Sequence, residues 1–284
     1  MGERNYSLGI VFQDEAGSGL AHDFFAGILN SFKLEAEKEG YEITFINTHK
    51  CEAENMTILE HVRERKFDGV ACICANMKNP QVIEVIESEI PVVTIDEAYN
   101  GVCSILSDNA QGIRNLVYYI AEMGHKKIAY MYGDMTTVTS LRIKNFMEAC
   151  EEMRIDVPPE YLRASRFRDT EKATFETEEL LRLPDPPTCI IYSDDYAAIG
   201  GMNIIKARGL EIPGDISIAG YDGLDIPSQY DPQLTTIKQD VKKIGQNAAA
   251  KLIEIIEHPD TASIKDVFID TELVKGASVG RKYY

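Results

Sequence analysis

Two charged side chains in the second half of the sequence, Asp222 and Arg142, stand where a small polar ligand could bind. Asp222 ends a strand-like segment over 216–221, and its carboxylate could accept hydrogen bonds from adjacent hydroxyls of a sugar or nucleoside. Arg142 opens a predicted helix after Ser140, and its guanidinium offers five donors suited to vicinal oxygens or a carboxylate. The alternatives are an Asx turn before Gly223 and a surface ion pair. Because ligands of open α/β sheets bind beyond the carboxyl ends of strands, Asp222 is a first candidate for a ligand contact.

Two neighbouring acids, Asp194 and Asp195, follow another strand-like segment, over 189–193. An acid at this position can contact a ligand, or it can cap the N-terminus of the helix that follows. We assign the ligand role to Asp194 and the capping role to Asp195.

The first half of the chain supplies weaker candidates. We expect the loop over 13–22 and Phe24 to face a ligand, where an aromatic ring could stack on a sugar or base. Phe24 could equally be a core residue. Asp96 lies at a strand end and Asp108 follows the strand that closes the first half, so both are further candidates.

Strand-like and helical patterns alternate along the chain and must position these residues. Strand-like segments are predicted over 6–12, 43–47, 69–74, 92–95, 127–132, 189–193 and 216–221. Helical periodicity covers 22–39, 56–65, 80–88, 109–123, 140–153, 170–183 and 197–208. This alternation is typical of parallel sheets covered by helices, and it predicts two α/β units with a boundary near 104–108.

A final helix over 241–258 and a strand-like segment over 267–273 come after the second unit is complete. The economical solution is that the chain returns to the first unit for this helix. Two lobes joined by crossovers would then flank a ligand cleft.

The charge balance excludes whole classes of partner for these 284 residues. Forty-six Asp and Glu against 29 Lys and Arg give a formal net charge of −17. Nucleic acids and anionic membranes attract clusters of Lys and Arg, so this chain alone should bind neither. No apolar run approaches the roughly 18–20 residues of a membrane helix. The N-terminal residues resemble no signal peptide, and we expect a cytoplasmic protein, although a mature secreted chain would look the same.

Several enzyme, cofactor and metal patterns are missing from the sequence. Gly17-Ser18-Gly19 follows the first strand, but His22 stands where a dinucleotide-binding motif needs its third glycine. No phosphate-binding loop and no nucleophile elbow occur, and the five histidines lack metal-binding spacing. The six cysteines are scattered through apolar runs and are interpreted as small buried side chains. We therefore expect no cofactor, no metal and no enzymatic activity.

A series of motifs, in order over residues 6–278, resembles the effector-binding core of the lactose-repressor/galactose-repressor (LacI/GalR) family of bacterial transcription regulators. The segments that carry the resemblance are Phe67-Asp68-Gly69-Val70, Pro91-Val92-Val93-Thr94-Ile95-Asp96, Ser107-Asp108-Asn109-Ala110-Gln111-Gly112, Met123-Gly124-His125-Lys126-Lys127-Ile128-Ala129, Asp195-Tyr196-Ala197-Ala198-Ile199-Gly200, the run from Gly209 to Asp222, Pro232-Gln233-Leu234-Thr235-Thr236 and Glu272-Leu273-Val274-Lys275-Gly276.

The resemblance implies a type I periplasmic-binding-protein-like fold of class α/β, with two doubly wound parallel-sheet lobes joined by three crossovers. It implies an N-terminal lobe of residues 1–106 plus 238–267 and a C-terminal lobe of 107–237 plus 268–284. The helix-turn-helix DNA reader of the family is not found in this chain. The family also implies a homodimer, which would bind DNA only through that missing domain.

The resemblance assigns ligand contacts to Asp222 and Arg142, and it places Gln239 near the cleft. This sequence departs from the family at four places: Asp194 stands where Asn is common, Asn145 replaces a Gly, His22-Asp23 replaces Asn-Pro, and Lys275 stands where Arg is usual. The first departure exchanges a donor for a charge and could alter the choice of effector.

The function expected from these features is ligand sensing for a transcription regulator. A small polar effector would bind between the lobes and favour a closed arrangement. A sugar is the favoured ligand, with sugar phosphates and nucleosides or purines as further classes. The alternative is a periplasmic-type sugar-binding transport protein, which would use the same fold.

Overall fold

The computed structural model describes residues 4–13, 19–225 and 231–283. The chain divides into two compact units, the first formed by 1–107 with 240–269 and the second by 108–239 with 270–284. The chain therefore passes between the units three times, next to residues 107, 239 and 269. Part of the loop over 13–22, residues 14–18, lies outside the described residues, as does the Gly17-Ser18 pair.

Strands and helices alternate through both units. The strands are β1 (Ser7–Val11), β2 (Glu42–Phe45), β3 (Gly69–Cys72), β4 (Val92–Ile95), β5 (Cys103–Ser107), β6 (Ile128–Tyr132), β7 (Leu162–Ala164), β8 (Cys189–Tyr192), β9 (Ser217–Ala219), β10 (Thr236–Gln239), β11 (Val267–Ile269) and β12 (Thr271–Val274). The helices are α1 (Asp23–Lys38), α2 (Thr48–Ala53), α3 (Ile58–Arg65), α4 (Pro80–Ile86), α5 (Asn109–Glu122), α6 (Thr137–Glu152), α7 (Thr170–Leu181), α8 (Asp195–Ala207) and α9 (Val241–Glu257).

The first unit is built on a six-stranded parallel sheet in the order β11-β5-β4-β3-β1-β2. Strands buried on both faces read as continuous apolar runs, and β3 and β4 are buried at every position. Helices α1 and α9 pack together over one face. Helices α3 and α4 cover the other face. The last helix of the chain is thus part of the core of the first unit.

The second unit contains a four-stranded parallel sheet in the order β7-β6-β8-β9. Helices α5 and α6 cover one face, and α7 and α8 cover the other. A separate antiparallel pair, β10 with β12, packs against α5. The α/β class predicted from the alternation is confirmed, as are the doubly wound parallel sheets that the family resemblance implies.

Two predicted elements differ from the structure, and three elements were not predicted. The segment over 267–273 forms two strands in different sheets, because β11 pairs with β5 and β12 pairs with β10 on either side of the exposed Asp270. The helix predicted to open near Ser140 begins at Thr137, where the Thr136 hydroxyl accepts a hydrogen bond from the Thr139 N–H. Helix α2 and strands β7 and β10 were not predicted.

Two expectations about side chains and membranes can be compared with the structure. Five of the six cysteines are buried, as expected of thiols that act as small apolar side chains. Within the ranges that the structure describes, none of the helices is long and apolar enough to cross a bilayer.

Candidate functional site

Arg142 is held inside the second unit rather than at the surface. It lies in the second turn of α6, and only 4% of the residue is exposed. Its Nε donates to Oδ1 of Asn109 over 2.8 Å, and Nη1 donates to the carbonyl oxygen of Ser193 over 3.2 Å. Ser193 follows β8, so the guanidinium lies at the carboxyl edge of the sheet. The prediction that Arg142 opens its helix was wrong, because the Thr136 cap starts the helix earlier.

Tyr221 supports the guanidinium from one face. The Cζ atom of Arg142 lies 3.6 Å from the centroid of the Tyr221 ring, a cation–π contact. The phenol is buried and donates to Oδ1 of Asn109 over 3.1 Å. Burial raises the pKa of Tyr221, although the charge of Arg142 opposes this shift. The phenol is therefore neutral at physiological pH and acts as a hydrogen-bond donor.

Asp222 follows at the same edge with a backbone conformation that non-glycine residues rarely adopt. Its φ is +96°, and such residues persist where the surrounding structure holds them. Here the Asp222 N–H donates to the carbonyl of Ile237 over 2.8 Å, and the Gln239 N–H donates to the Asp222 carbonyl over 3.2 Å. The loop after β9 is thereby joined to β10.

The side chains of Asp222 and Gln239 also meet. Nε2 of Gln239 donates to Oδ1 of Asp222 over 2.8 Å. Gln239 is 4% exposed, and its Oε1 atom is buried with no hydrogen-bond partner among the described residues. An unpaired buried acceptor costs roughly 1–3 kcal/mol, so a ligand that donates a hydrogen bond to Oε1 would remove this cost.

The roles predicted for Asp194 and Asp195 require one correction. Asp194 is the N-cap of α8, because its Oδ1 accepts a 2.9 Å hydrogen bond from the Ala197 N–H. Its Oδ2 accepts from the Arg168 N–H and from the Ser193 hydroxyl, each over 2.9 Å. Asp195 is one residue too late to cap this helix, so the capping role given to it was wrong. The ligand role of Asp194 stays a prediction.

Asp195 is instead a fully buried acid beneath the same edge. Oδ1 accepts from the Thr236 hydroxyl over 2.6 Å, and Oδ2 accepts from the Leu224 N–H over 2.7 Å. Burial raises the pKa of its carboxyl well above the usual value, and the charges of Asp222 and Asp194 add to this effect.

The other predicted candidates are distributed over both units. Asp108 is the N-cap of α5 and accepts from the Gln111 N–H over 2.9 Å. Asp96 follows β4 in the first unit with a φ of +67°. Phe24 is 5% exposed and belongs to the apolar core under α1, which matches the core alternative. A ligand contact by any of these three stays a prediction.

Four residues around the site were missed by sequence reasoning. Tyr221 was interpreted only as part of a strand, and Asn109 only as part of a family motif, while Ser193 enters through its backbone oxygen. Phe167 is partly exposed, donates its N–H to Oδ2 of Asp134 over 3.2 Å, and packs against Gly133 just after β6. For Ser193 and Tyr221 the available signal was their position at the ends of predicted strands, whereas Phe167 follows β7, a strand that was not predicted.

In the part of the chain that the structure describes, no group of three or more His, Cys, Asp or Glu side chains could hold a metal ion. The arrangement around Arg142 is one of binding groups: a forked cation, a carboxylate and an unpaired amide oxygen.

Curated proteins with similar sequences are repressors. The chain is 29% identical over 283 residues to the probable HTH-type transcriptional repressor ExuR of Bacillus subtilis, covering 98% of this chain and 82% of that protein. It is 29% identical over 261 residues to the HTH-type transcriptional repressor PurR of Mannheimia succiniciproducens, covering 90% and 77%.

Solved structures with the same fold include regulators with bound sugars. A putative transcriptional regulator LacI from Bacillus cereus subsp. cytotoxis superposes with a TM-score of 0.87 at 24% identity over 98% of this chain and 99% of that one. A LacI family regulator from Enterococcus faecium with bound ribose gives 0.80 at 21% over 98% and 100%. The CelR–cellobiose complex gives 0.84 at 19% over 97% and 85%.

The family assignment rests on more than half of the chain. Residues 117–279 match the family described as the periplasmic binding protein-like domain. This segment contains Arg142, Tyr221, Asp222 and Gln239, and the LacI/GalR resemblance predicted from the motifs is confirmed. The chain belongs to the periplasmic binding protein-like domain family, and its relatives are transcriptional repressors.

Proposed function

We propose that this chain is the ligand-sensing core of a bacterial transcription regulator and that its ligand is a sugar. The observation that carries the proposal is the buried guanidinium of Arg142 at the same sheet edge as the Asp222–Gln239 pair. The repressor relatives support the regulator over the transport-protein alternative.

The chemistry of the site suits a polyhydroxylated ligand. The carboxylate of Asp222 and the Oε1 atom of Gln239 accept hydrogen bonds, whereas Arg142 donates them. Each sugar hydroxyl both donates and accepts, so neighbouring hydroxyls can satisfy groups of both kinds. The partly exposed ring of Phe167 offers an apolar face to the C–H side of a sugar ring.

We rank the predicted ligand residues by the hydrogen bonds that their polar atoms already make within the protein. Arg142, Asp222 and Gln239 form its centre. Asp194 is retained as a ligand candidate, although both of its oxygens hold protein donors. Asp108, Asp96 and Phe24 are retained as secondary candidates.

The regulatory part of the proposal follows from the charge of the chain and from its relatives. A net charge of −17 disfavours direct contact with DNA, so we propose that a separate domain reads DNA and that the assembly is a cytoplasmic homodimer. Ligand binding would shift an open–closed equilibrium, by no more than the difference in ligand affinity between the two states. We propose no catalytic activity.

Thermal shift measurements with a ligand panel test the proposal. The panel contains ribose, cellobiose, hexoses, hexuronates, sugar phosphates and nucleosides. We expect at least one member to raise the melting temperature of the wild-type chain, because a ligand that binds the folded state stabilises it. We expect Asp222→Asn to weaken that ligand by about tenfold to a hundredfold, as for loss of a hydrogen bond to a charged group.

The matched control is Asp225→Asn, which makes the same chemical change at an exposed position three residues away. It should leave the affinity unchanged. The proposed site is wrong if no compound raises the melting temperature, or if Asp222→Asn retains the wild-type affinity.

A further inference from the structure

Asn109 bonds both to Arg142 and to Tyr221, the residue whose ring supports the Arg142 guanidinium. Its Oδ1 atom accepts from Nε of Arg142 over 2.8 Å and from the hydroxyl of Tyr221 over 3.1 Å. The Arg142 guanidinium in turn lies over the Tyr221 ring, so each of the three residues contacts the other two. We call Asn109, Arg142 and Tyr221 the Arg142 cluster. All three residues are less than 5% exposed, so contacts with the protein rather than with water set their geometry.

Asn109 also lies close to points where the chain passes between its two units. It is the first residue of α5 and comes two residues after Ser107, where the chain enters the second unit for the first time. The preceding residue, Asp108, accepts a 3.4 Å hydrogen bond at its carbonyl from the hydroxyl of Thr271, near the third passage. Thr271 pairs with Gln239, which ends the second unit at the second passage.

The Arg142 cluster is also linked to the second passage, next to residue 239, through Tyr221. Tyr221 precedes Asp222, whose backbone and side chain are both bonded to the β10 segment that ends at Gln239. At each of the three passages, a residue on the second-unit side is therefore adjacent in sequence or hydrogen-bonded to Asn109 or Tyr221, or to the residue next to one of them.

We propose that Asn109 is a positioning residue: it orients Arg142 for ligand binding and ties that guanidinium to the segments through which the chain passes between its units. This inference rests on the proposed function for the role of Arg142, but the contacts that it concerns exist without ligand. Asn109 itself need not touch the ligand.

The chemistry of the side chain explains why an amide suits this position. Both neighbours are donors, so the central atom must be an acceptor. An alanine would leave the Nε–H of Arg142 and the hydroxyl of Tyr221 buried without this partner. An aspartate would keep an acceptor for both donors and would add a charge that attracts the guanidinium. Asn109→Asp is therefore the conservative variant that should rescue positioning.

Nitrogen-15 NMR of the arginine Nε–H groups tests this role in the ligand-free chain. The Arg142 signal is assigned by its absence from the Arg142→Lys protein. In the wild type this proton should exchange slowly with solvent. Asn109→Ala should speed its exchange by about tenfold or more, whereas Asn109→Asp should keep it slow. The matched control is Asn115→Ala on the same helix, where the side chain bonds to Gln111 instead.

Amide hydrogen exchange supplies a second readout. Tyr221→Phe removes the hydroxyl and its bond to Asn109, but it leaves the aromatic ring and the bond between Arg142 and Asn109. It should speed exchange at Asp222 and Gln239, whose N–H groups join the loop to β10, while the Arg142 Nε–H stays protected. This variant also keeps the inference testable if Asn109→Ala does not fold.

The outcomes separate this inference from the proposed function. Slow exchange of the Arg142 proton in Asn109→Ala, or equal acceleration at all sites in both units, would show that Asn109 does not position Arg142. Failure of Asn109→Asp to restore protection would also overturn the inference. None of these results depends on a ligand, so a failed ligand screen would count against the proposed function alone.

Discussion

The hydroxyl of Thr236 donates a 2.6 Å hydrogen bond to Oδ1 of Asp195, and both side chains are buried. The second oxygen of Asp195 accepts from the Leu224 N–H over 2.7 Å. One carboxyl group thus joins the start of α8 to strand β10 and to the loop that carries Asp222. Its ionisation must therefore affect the stability of the region below the proposed ligand site.

The first prediction concerns the pH dependence of Asp195. Because burial raises its folded-state pKa, the folded chain binds this proton more tightly than the unfolded chain does. The resulting stabilisation is complete below the unfolded pKa of Asp and is lost as the pH rises through the folded pKa. Asp195→Asn removes the titration and can still accept from Leu224 and donate to Thr236. As the pH rises from about 4 toward 8, the wild type should lose stability relative to this variant.

Urea unfolding at several pH values measures this difference, and Asp260→Asn at an exposed position is the control. A free-energy difference between Asp195→Asn and wild type that stays constant with pH would contradict the prediction.

The second prediction concerns the close approach of Gly220 to Asp195. A Cβ atom at residue 220 would lie 2.1 Å from Oδ1 of Asp195 and 2.8 Å from Cδ2 of Leu234. Gly220→Ala should therefore lower the free energy of unfolding by about 1–3 kcal/mol, the usual cost of overpacking. Gly214→Ala is the matched control, because its nearest neighbours lie at 3.3 Å on an exposed turn. Equal stability of the two variants would show that the backbone at 220 yields easily.

The third prediction compares two helix caps. Asp194 and Asp169 both cap helices, but Asp194 also accepts from the Arg168 N–H and the Ser193 hydroxyl. Asp169→Ala should cost about 1 kcal/mol, as is usual for a cap. Asp194→Ala should cost more, roughly 2–4 kcal/mol, because it also leaves buried donors without this acceptor. Chemical unfolding of both proteins decides the matter, and a similar cost for both would mean that solvent replaces the extra bonds.

The fourth prediction concerns His125, which is buried between Thr188 and the C-terminal segment. Nδ1 lies 2.8 Å from the Thr188 hydroxyl, and Nε2 lies 3.0 Å from the carbonyl of Gly280. Burial lowers the pKa of His125, so the unfolded chain binds this proton more readily. The stabilisation is present above the unfolded pKa of His and is lost as the pH falls through the lowered folded pKa.

Melting temperatures between pH 7.5 and 5 measure this contribution. The melting temperature of His125→Gln should fall less toward pH 5 than that of the wild type. The melting temperature of His258→Gln, changed at an exposed site, should fall as much as that of the wild type. If the melting temperature of His125→Gln falls as much as that of the wild type, His125 is ruled out as a source of the pH dependence.

Much of the architecture was predictable because it depends on local pattern. The buried runs that became β3 and β4 and the amphipathic stretch that became α9 are properties of adjacent residues. The glycines and caps that end helices are equally local. Asp222, at the end of a strand, was a candidate because the carboxyl ends of parallel strands form one edge.

Other features depend on which strands are neighbours, and no local pattern contains that information. The alternation over 267–273 is the same whether it forms one strand or two, and only pairing with β5 and with β10 divides it at Asp270. A shift of one residue at a helix start decides between Asp194 and Asp195 as the cap, and the bonds from Thr236 and Leu224 decide the role of Asp195.

The sequence by itself determined the α/β class, the family and the two charged residues at the centre of the proposed site. Only the tertiary structure decided how those residues are held. Asn109 contacts Arg142 and Tyr221 across 33 and 112 positions of the chain, respectively. Strand and helix patterns repeat over two to four residues, so they cannot encode such a meeting. It arises when the sheet order brings the ends of β8 and β9 beside the start of α5.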